Sequence, residues 1–442
     1  MSVPNTPSPS RPRRRTAQPR AAVALLLGVV LPLTACGGKS THNLPQAPST
    51  PGAPTSASPP GSRAASTPGT TQLPHPSSPP LAAAPTVQTA LTTGCVDRVM
   101  ARMSAAQRVG QLFMSAVSTS GIAAAESAAI RGHSVGSVIL MGHSNAGVRP
   151  IRTITDQLQS MAQSVGGTKV QLFTAADQEG GKVQILNGPG FSPIPSAVVQ
   201  GQWAATRLQG QAAGWGRQLR AAGVNLDLAP VADVVPAGIG TQNQPIGALS
   251  REYGDNPTTV ARQSGAFIRG LSQAGVDATI KHFPGLGQVR GNTDFSANVT
   301  DSLTRRNSPN LATFRSGIQA GARFTMVSLA TYTLIDPAHQ AVFSSVVLRD
   351  VLRGTLGFNG VIISDDLGRA AAVRAVPPGQ RALRFLAAGG NMILTVDPST
   401  VGPMANAVLS RLGTDAALRR DVDDSVRRIL TAKMASGLLR CG

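Results

Sequence analysis

Eight short apolar runs constrain the fold of this chain more than any other feature. In order they are QLFMSAV from Gln111, SVILMG from Ser137, VQLFTAAD from Val170, VNLDLAPVAD from Val224, ATIKHFPG from Ala278, FTMVSLA from Phe324, GVIISDD from Gly360 and NMILTV from Asn391. Their apolar residues follow one another almost without a break, whereas a strand with one wet face would alternate. Each therefore reads as a strand buried on both sides. Between them lie longer amphipathic stretches such as PTTVARQSGAFIRGLSQAG and SSVVLRDVLRGTLG, the second ending on a glycine suited to a helix C-terminus. Eight strands alternating with helices over about 350 residues predict an α/β fold, a (β/α)8 barrel in a single domain. A doubly wound open sheet is the alternative, but no G-x-G-x-x-G turn follows the first run.

The chain ahead of the barrel has a different character. Arg11, Arg13, Arg14, Arg15 and Arg20 precede the apolar run AAVALLLGVVLPL, which is too short for a membrane span and suits a signal peptide. LTAC follows it, in the pattern of a bacterial lipobox, which assigns Cys36 to a lipid anchor; a plain secretory signal with an incidental cysteine is the alternative. The stretch after Cys36 is rich in Pro, Ser, Thr and Ala and has almost no large apolar residue. Such a segment buries too little apolar surface to offset its ordering entropy. The expected organisation is a lipoprotein signal at 1–35, a disordered tether at 36–93 and the barrel at 94–442, on the extracytoplasmic face of a membrane.

The formal charge is +19, and removing the five arginines of the signal leaves +14. A basic exported protein is held near anionic wall polymers or lipid head groups. A nucleic-acid partner is not expected: aromatics make up 3% of the chain and no basic segment interleaves with them. Cys95 and Cys441 sit just inside the two ends of the barrel in an oxidising context, which predicts a disulfide between them, with two unpaired thiols as the alternative.

Polar residues collect where the apolar runs end: Asp177 after the third, Asp233 after the fourth, Lys281 and His282 in the fifth, Asp365 and Asp366 after the seventh. In a barrel these ends converge on one mouth, the place where barrel enzymes build their sites. One carboxylate after a strand is more often a helix N-cap, but several at successive strand ends point to an enzyme. There is no G-x-S-x-G elbow and no P-loop, and six scattered histidines do not suggest a metal site. Paired carboxylates in a polar pocket fit glycoside hydrolysis.

DQEGGKVQ at Asp177, NLDLAPVADV at Asn225, SREYG at Ser250, KHFPG at Lys281 and GFNGVIISDDLG at Gly357 resemble, in order, the signatures of family 3 glycoside hydrolases, and most of all the single-domain β-N-acetylglucosaminidases that trim peptidoglycan fragments. The resemblance runs from about Met103 to Met434. It implies a retaining exo-β-N-acetylglucosaminidase acting on muropeptides in cell-wall turnover, without cofactor or metal and as a monomer. Asp365 would be the nucleophile and Asp366 a structural aspartate, capping the next helix. Asp177, Arg251, Lys281 and His282 would hold the sugar, with Asp233 supporting them from the floor. The alternative is a surface lipoprotein that binds wall glycans on the same scaffold with little or no catalysis. Two tryptophans in the whole chain favour a pocket for a terminal sugar over a long stacking cleft.

The chain departs from the family pattern at three places. The family has arginine where Ile185 stands, and GGR has become Gly180, Gly181, Lys182. In the loop KHFPGLGQVRGNTDF, Leu286 replaces a histidine, and Asn292, Thr293 and Asp294 fall on the family's DSH, whose aspartate and histidine form the acid/base dyad. An asparagine cannot shuttle a proton. Either Asp294 is itself the acid/base, or an acid such as Asp301 arrives from elsewhere, or the protein only binds sugar.

Overall fold

Every one of the eight apolar runs contributes a strand to one sheet: β1 Phe113–Ser118, β2 Ser137–Met141, β3 Phe173–Ala176, β4 Leu226–Asp227, β5 Asp277–Phe283, β6 Phe324–Val327, β7 Val361–Ser364 and β8 Ile393–Thr395. The computed structural model describes residues 87–441, with side chains from residue 94 onward. The expected signal peptide, Cys36 and most of the expected tether lie outside the described residues. The first described element is a helix, Val87–Arg102.

The strands are parallel and ordered β7-β6-β5-β4-β3-β2-β1-β8. A bridge from Ile363 in β7 to Met392, just ahead of β8, brings the two ends of the sheet together, and Ser364 N donates to Met392 O at 2.9 Å. The result is a nearly closed barrel. β2, β3, β5, β6, β7 and β8 are buried at almost every position, which is why their sequences carry no polar alternation. The fourth run gives a strand of only two residues, because Pro230 has no N–H to offer the ladder; pairing resumes at Val231, which bridges to Lys281.

Helices cover the outside. Pro257–Gln273 starts where Asn256 accepts a bond from Thr259 N at 2.9 Å and Pro257 presets the first turn. Losing that cap costs about 1 kcal/mol. The stretch Val346–Thr355 ends at Leu356, and Gly357, at φ +72°, turns the chain left-handed towards β7.

The closed end of the barrel is tied by the last helix, Ala416–Ala435, and by a disulfide between Cys95 and Cys441, whose Cα atoms are 5.9 Å apart. The bridge spans 346 residues. Cross-linking so long a loop restricts the unfolded chain, so Cys95→Ser with Cys441→Ser is expected to lower unfolding stability by roughly 2–5 kcal/mol. Activity at room temperature should persist, since the bridge lies at the end opposite the mouth. Urea melts of the two forms, with an activity assay on each, check both halves of that expectation.

Candidate active site

Asp177, Arg251, Lys281, His282, Asp294, Asp365 and Asp366 all line one cavity of about 560 Å³ at the C-terminal ends of the strands. Lys281 and His282 are neighbours in β5, yet both reach this cavity, and the peptide bond between them is cis. Apolar side chains of Ile139, Leu228, Met326 and Leu394 form part of its wall. A mostly apolar pocket with a few convergent polar groups is the usual form of a small-molecule site.

Its polar floor is a chain of ion pairs. Lys281 Nζ lies 2.6 Å from Asp177 Oδ1 and 2.7 Å from Glu179 Oε1. Glu179 in turn grips Arg251 with both oxygens, at 2.8 Å to Nε and 2.7 Å to Nη2. Burial alone would push Glu179 towards protonation, but Arg251 and Lys281 outweigh it and hold the carboxyl at about 2. For Lys281, Asp177 and Glu179 overcome a burial that would discharge it, so its pKa is raised. Each charge is thus kept by its neighbours, and the two cations are fixed in place before any ligand arrives.

His282 is oriented from behind. Asp233 Oδ2 lies 2.8 Å from its Nδ1, while Asp233 Oδ1 accepts the backbone N–H groups of His282 at 3.1 Å and Leu286 at 2.9 Å. The contact with Asp233 fixes the ring so that Nε2 lies 3.4 Å from Arg251 Nη2. Asp233 itself is 1% exposed and does not reach the cavity, so it holds His282 and cannot touch a sugar.

Asp365 opens the loop after β7. Its N–H donates to Val327 O at 3.1 Å, and its Oδ1 accepts Asp366 N at 2.8 Å. Asp366 spends both its oxygens on four backbone N–H groups: Gly368 and Val396 on Oδ1, Arg369 and Ala370 on Oδ2. It clamps its own loop to the end of β8, where the sequence reading expected it to cap a helix. A short 3-10 turn, Ala371–Val373, follows, and the next α-helix begins at Pro378.

The loop Pro284–Phe295 folds back over the mouth. Gly287 passes so close to the Val234 carbonyl that a Cβ would collide with it. Leu286 is buried in the core. Asn292 Oδ1 accepts Asp294 N at 2.9 Å, which shapes a tight turn. Asp294 O and Thr293 O accept the N–H groups of Ala371 and Ala372, each at 3.1 Å, so the loop is docked on the segment after β7. Asp294 faces the open cavity and water can reach it. Even so, crowding by protein and then the charge of Asp365 raise its pKa to about 6, against a lowering pull from His282. A ligand that displaced water from the cavity would push it further the same way. Asp301, the other candidate acid, is buried and fully engaged: Oδ1 accepts Leu303 N and Thr304 N, and Oδ2 accepts the Thr304 hydroxyl. It lines no part of this cavity.

A cavity that sets Asp294 against Asp365 above a floor of Asp177, Lys281, Glu179 and Arg251 is built for two-carboxylate chemistry. The Glycosyl hydrolase family 3 N terminal domain matches residues 104–432. The chain belongs to glycoside hydrolase family 3. A β-hexosaminidase of Stenotrophomonas maltophilia is 36% identical over 250 residues, covering 55% of this chain and 72% of the relative. Among solved structures, the β-N-acetylhexosaminidase of Beutenbergia cavernae superposes with a TM-score of 0.74 at 43% identity, over 75% of this chain and 99% of that one. A family 3 β-N-acetylglucosaminidase from a Paenibacillus species does so with 0.68 at 28%, over 76% and 63%.

Within this family 3 hydrolase the departures take definite places. Ile185 is half-buried against the core, and Lys182 donates to Ala248 O at 3.1 Å outside the floor network. Sequence reasoning misses Glu179 although it lies within DQEGG; the signal available is two carboxylates two residues apart at a strand end. It misses Asp227 as well. That residue is 1% exposed, accepts Gln178 N at 3.0 Å, and burial raises its pKa to about 8, which keeps it neutral beneath the ionised floor.

Proposed function

We propose that the protein is a retaining exo-β-N-acetylglucosaminidase that removes terminal N-acetylglucosamine from peptidoglycan fragments, held at the outer face of the membrane by a lipid on Cys36. The observation that carries the reading is that Asp365 and Asp294 line one cavity, where the surroundings raise the pKa of Asp294 to about 6. The activities for which the relatives are named agree with the sugar.

In the first step an oxygen of Asp365 attacks the anomeric carbon while the bond to the leaving oxygen breaks, and Asp294 gives that oxygen its proton. In the second, Asp294 as carboxylate takes a proton from water, whose oxygen attacks the same carbon and releases Asp365. The sugar leaves with its original configuration. Asp177, Lys281, Arg251 and His282 present donors and acceptors that orient the ring. A fluorinated N-acetylglucosaminide should leave a covalent adduct on the peptide carrying Asp365, detected by mass. An unlabelled Asp365, or retention of N-acetylglucosamine oligomers with no turnover, would favour a sugar-binding lipoprotein instead.

The preference for wall fragments rests on Arg369. Its guanidinium stands at the rim, 70% exposed and 3.8 Å from Asp397, where an acidic leaving sugar would pass. Arg369→Ala is expected to raise KM about two- to fivefold for a substrate with a carboxylate on its aglycone and to leave 4-nitrophenyl N-acetyl-β-glucosaminide unchanged. Equal effects on both substrates would remove Arg369 from substrate choice. For the anchor, labelled palmitate should enter the wild-type chain in cells and fail to enter Cys36→Ala.

A further inference from the structure

We infer that Gln340 is a positioning residue that holds the acid/base loop over the cavity through a relay of hydrogen bonds; the inference rests on Asp294 being the proton donor. Gln340 ends the strand Asp336–Gln340, which pairs with Thr331–Tyr332 and lies outside the barrel. Its side-chain amide has two N–H donors, and both are used. One reaches Leu329 O at 3.0 Å, in the turn that follows β6, and the other reaches Ala372 O at 2.8 Å, in the segment that follows β7.

Ala372 is the residue whose own N–H holds Thr293 O, and its neighbour Ala371 holds Asp294 O. Gln340 therefore pins, from the side away from the cavity, the segment on which the Asp294 loop is docked. The far end of that loop converges on the same small sheet: Thr331 N donates to Val299 O at 2.9 Å, and Thr331 is the residue paired with Gln340. The amide joins the loops after β6 and β7 directly, and the loop after β5 is tied to them through the N–H groups of Ala371 and Ala372. The backbone of Asp365 hangs from Val327, two residues ahead of Leu329, so Gln340 relates acid to nucleophile. A primary amide suits this place because it offers two neutral donors in a plane to two carbonyl oxygens; a carboxylate of the same shape offers none when ionised.

Gln340→Met keeps the length and removes both donors. On N,N′-diacetylchitobiose, whose leaving group needs a proton, kcat is expected to fall about 10- to 100-fold, the loss that follows from a proton donor displaced by an ångström or so. On 4-nitrophenyl N-acetyl-β-glucosaminide the first step should change by less than about threefold, since that leaving group departs with little help. Equal losses on the two substrates, or no loss on either, overturn the inference. Hydrogen exchange separates this from the acid assignment: the amides of Ala371 and Ala372 should exchange roughly five- to tenfold faster in the variant. Unchanged exchange overturns the relay, whichever residue is the acid. Should Asp294→Asn show no difference between the two substrates while those amides loosen in Gln340→Met, the acid assignment has failed and the relay stands as a loop anchor only. If Gln340→Met does not fold, the isosteric Gln340→Glu is read in the same way at neutral pH.

Discussion

Asp365→Ala is expected to lower kcat/KM for 4-nitrophenyl N-acetyl-β-glucosaminide by on the order of 10⁴-fold or more, because no carboxylate around it on the cavity floor is free to attack. Asp177 is committed to Lys281, Glu179 to Arg251 and Lys281, and Asp366 to four backbone N–H groups. The fold should survive the change. The Asp365 backbone is held by Val327, and the side chain gives up one accepted bond, from Asp366 N. Added azide should enter the space left by the carboxylate and attack from the same face, yielding the glycosyl azide of inverted configuration. A variant that kept even a tenth of the wild-type rate would place the nucleophile elsewhere.

Asp294→Asn produces a second, different pattern. Chitobiose turnover should fall by about 10²- to 10⁴-fold, while the activated aryl glycoside still passes its first step and the glycosyl-enzyme accumulates behind it. The pH profile supplies the sign. As acid, Asp294 must carry its proton, and with a pKa raised to about 6 by its surroundings and by Asp365 it loses that proton as pH rises through this value. The first step on chitobiose should therefore decline above about pH 6 in the wild type. As base in the second step Asp294 must be ionised, and Asp365, by then a neutral ester, no longer raises it, so hydrolysis of the glycosyl-enzyme should decline only at a pH below that value. The amide introduced by the substitution titrates nowhere, and the alkaline limb that belongs to Asp294 should vanish in the variant. If the variant cleaved chitobiose at the wild-type rate, Asp294 would not be the donor.

In the proposed mechanism a carboxylate takes the place that the family pattern gives to a histidine dyad, and the electrostatics explain how it could. An isolated aspartate is a poor acid near neutral pH because it has already lost its proton. Crowding in a partly closed mouth and a second carboxylate across the cavity raise it into the useful range, the same logic that separates an acid from a nucleophile in other two-carboxylate sites. His282, which opposes the shift, is itself engaged by Asp233.

Much of this is legible in sequence because it is local. Strands buried on both faces must be apolar at every position, so β1, β2, β3, β5, β6, β7 and β8 can be placed from composition within a few residues. The ends of those strands mark Asp177, Lys281, His282 and Asp365, and a barrel brings all strand ends to one mouth whatever the helices between them are. The loop substitutions at Leu286, Asn292 and Asp294 can also be read directly.

Pairings between residues far apart in the chain, on which periodicity is silent, came only with the folded barrel. Glu179 meets Arg251 across 72 positions, and Lys281 meets Asp177 across 104. Asp233 proved to be a support for His282, and Asp366 a clamp between two loops. Gln340 carries no motif, and its two donors acquire meaning only when the turns after β6 and β7 are brought within 3.0 Å of it. Which residues could do chemistry follows from side-chain type and strand period, and both are read along the chain. Which carboxylate stays ionised, which keeps its proton and which merely holds a loop was settled by burial and by neighbours, and those exist only once the barrel has closed.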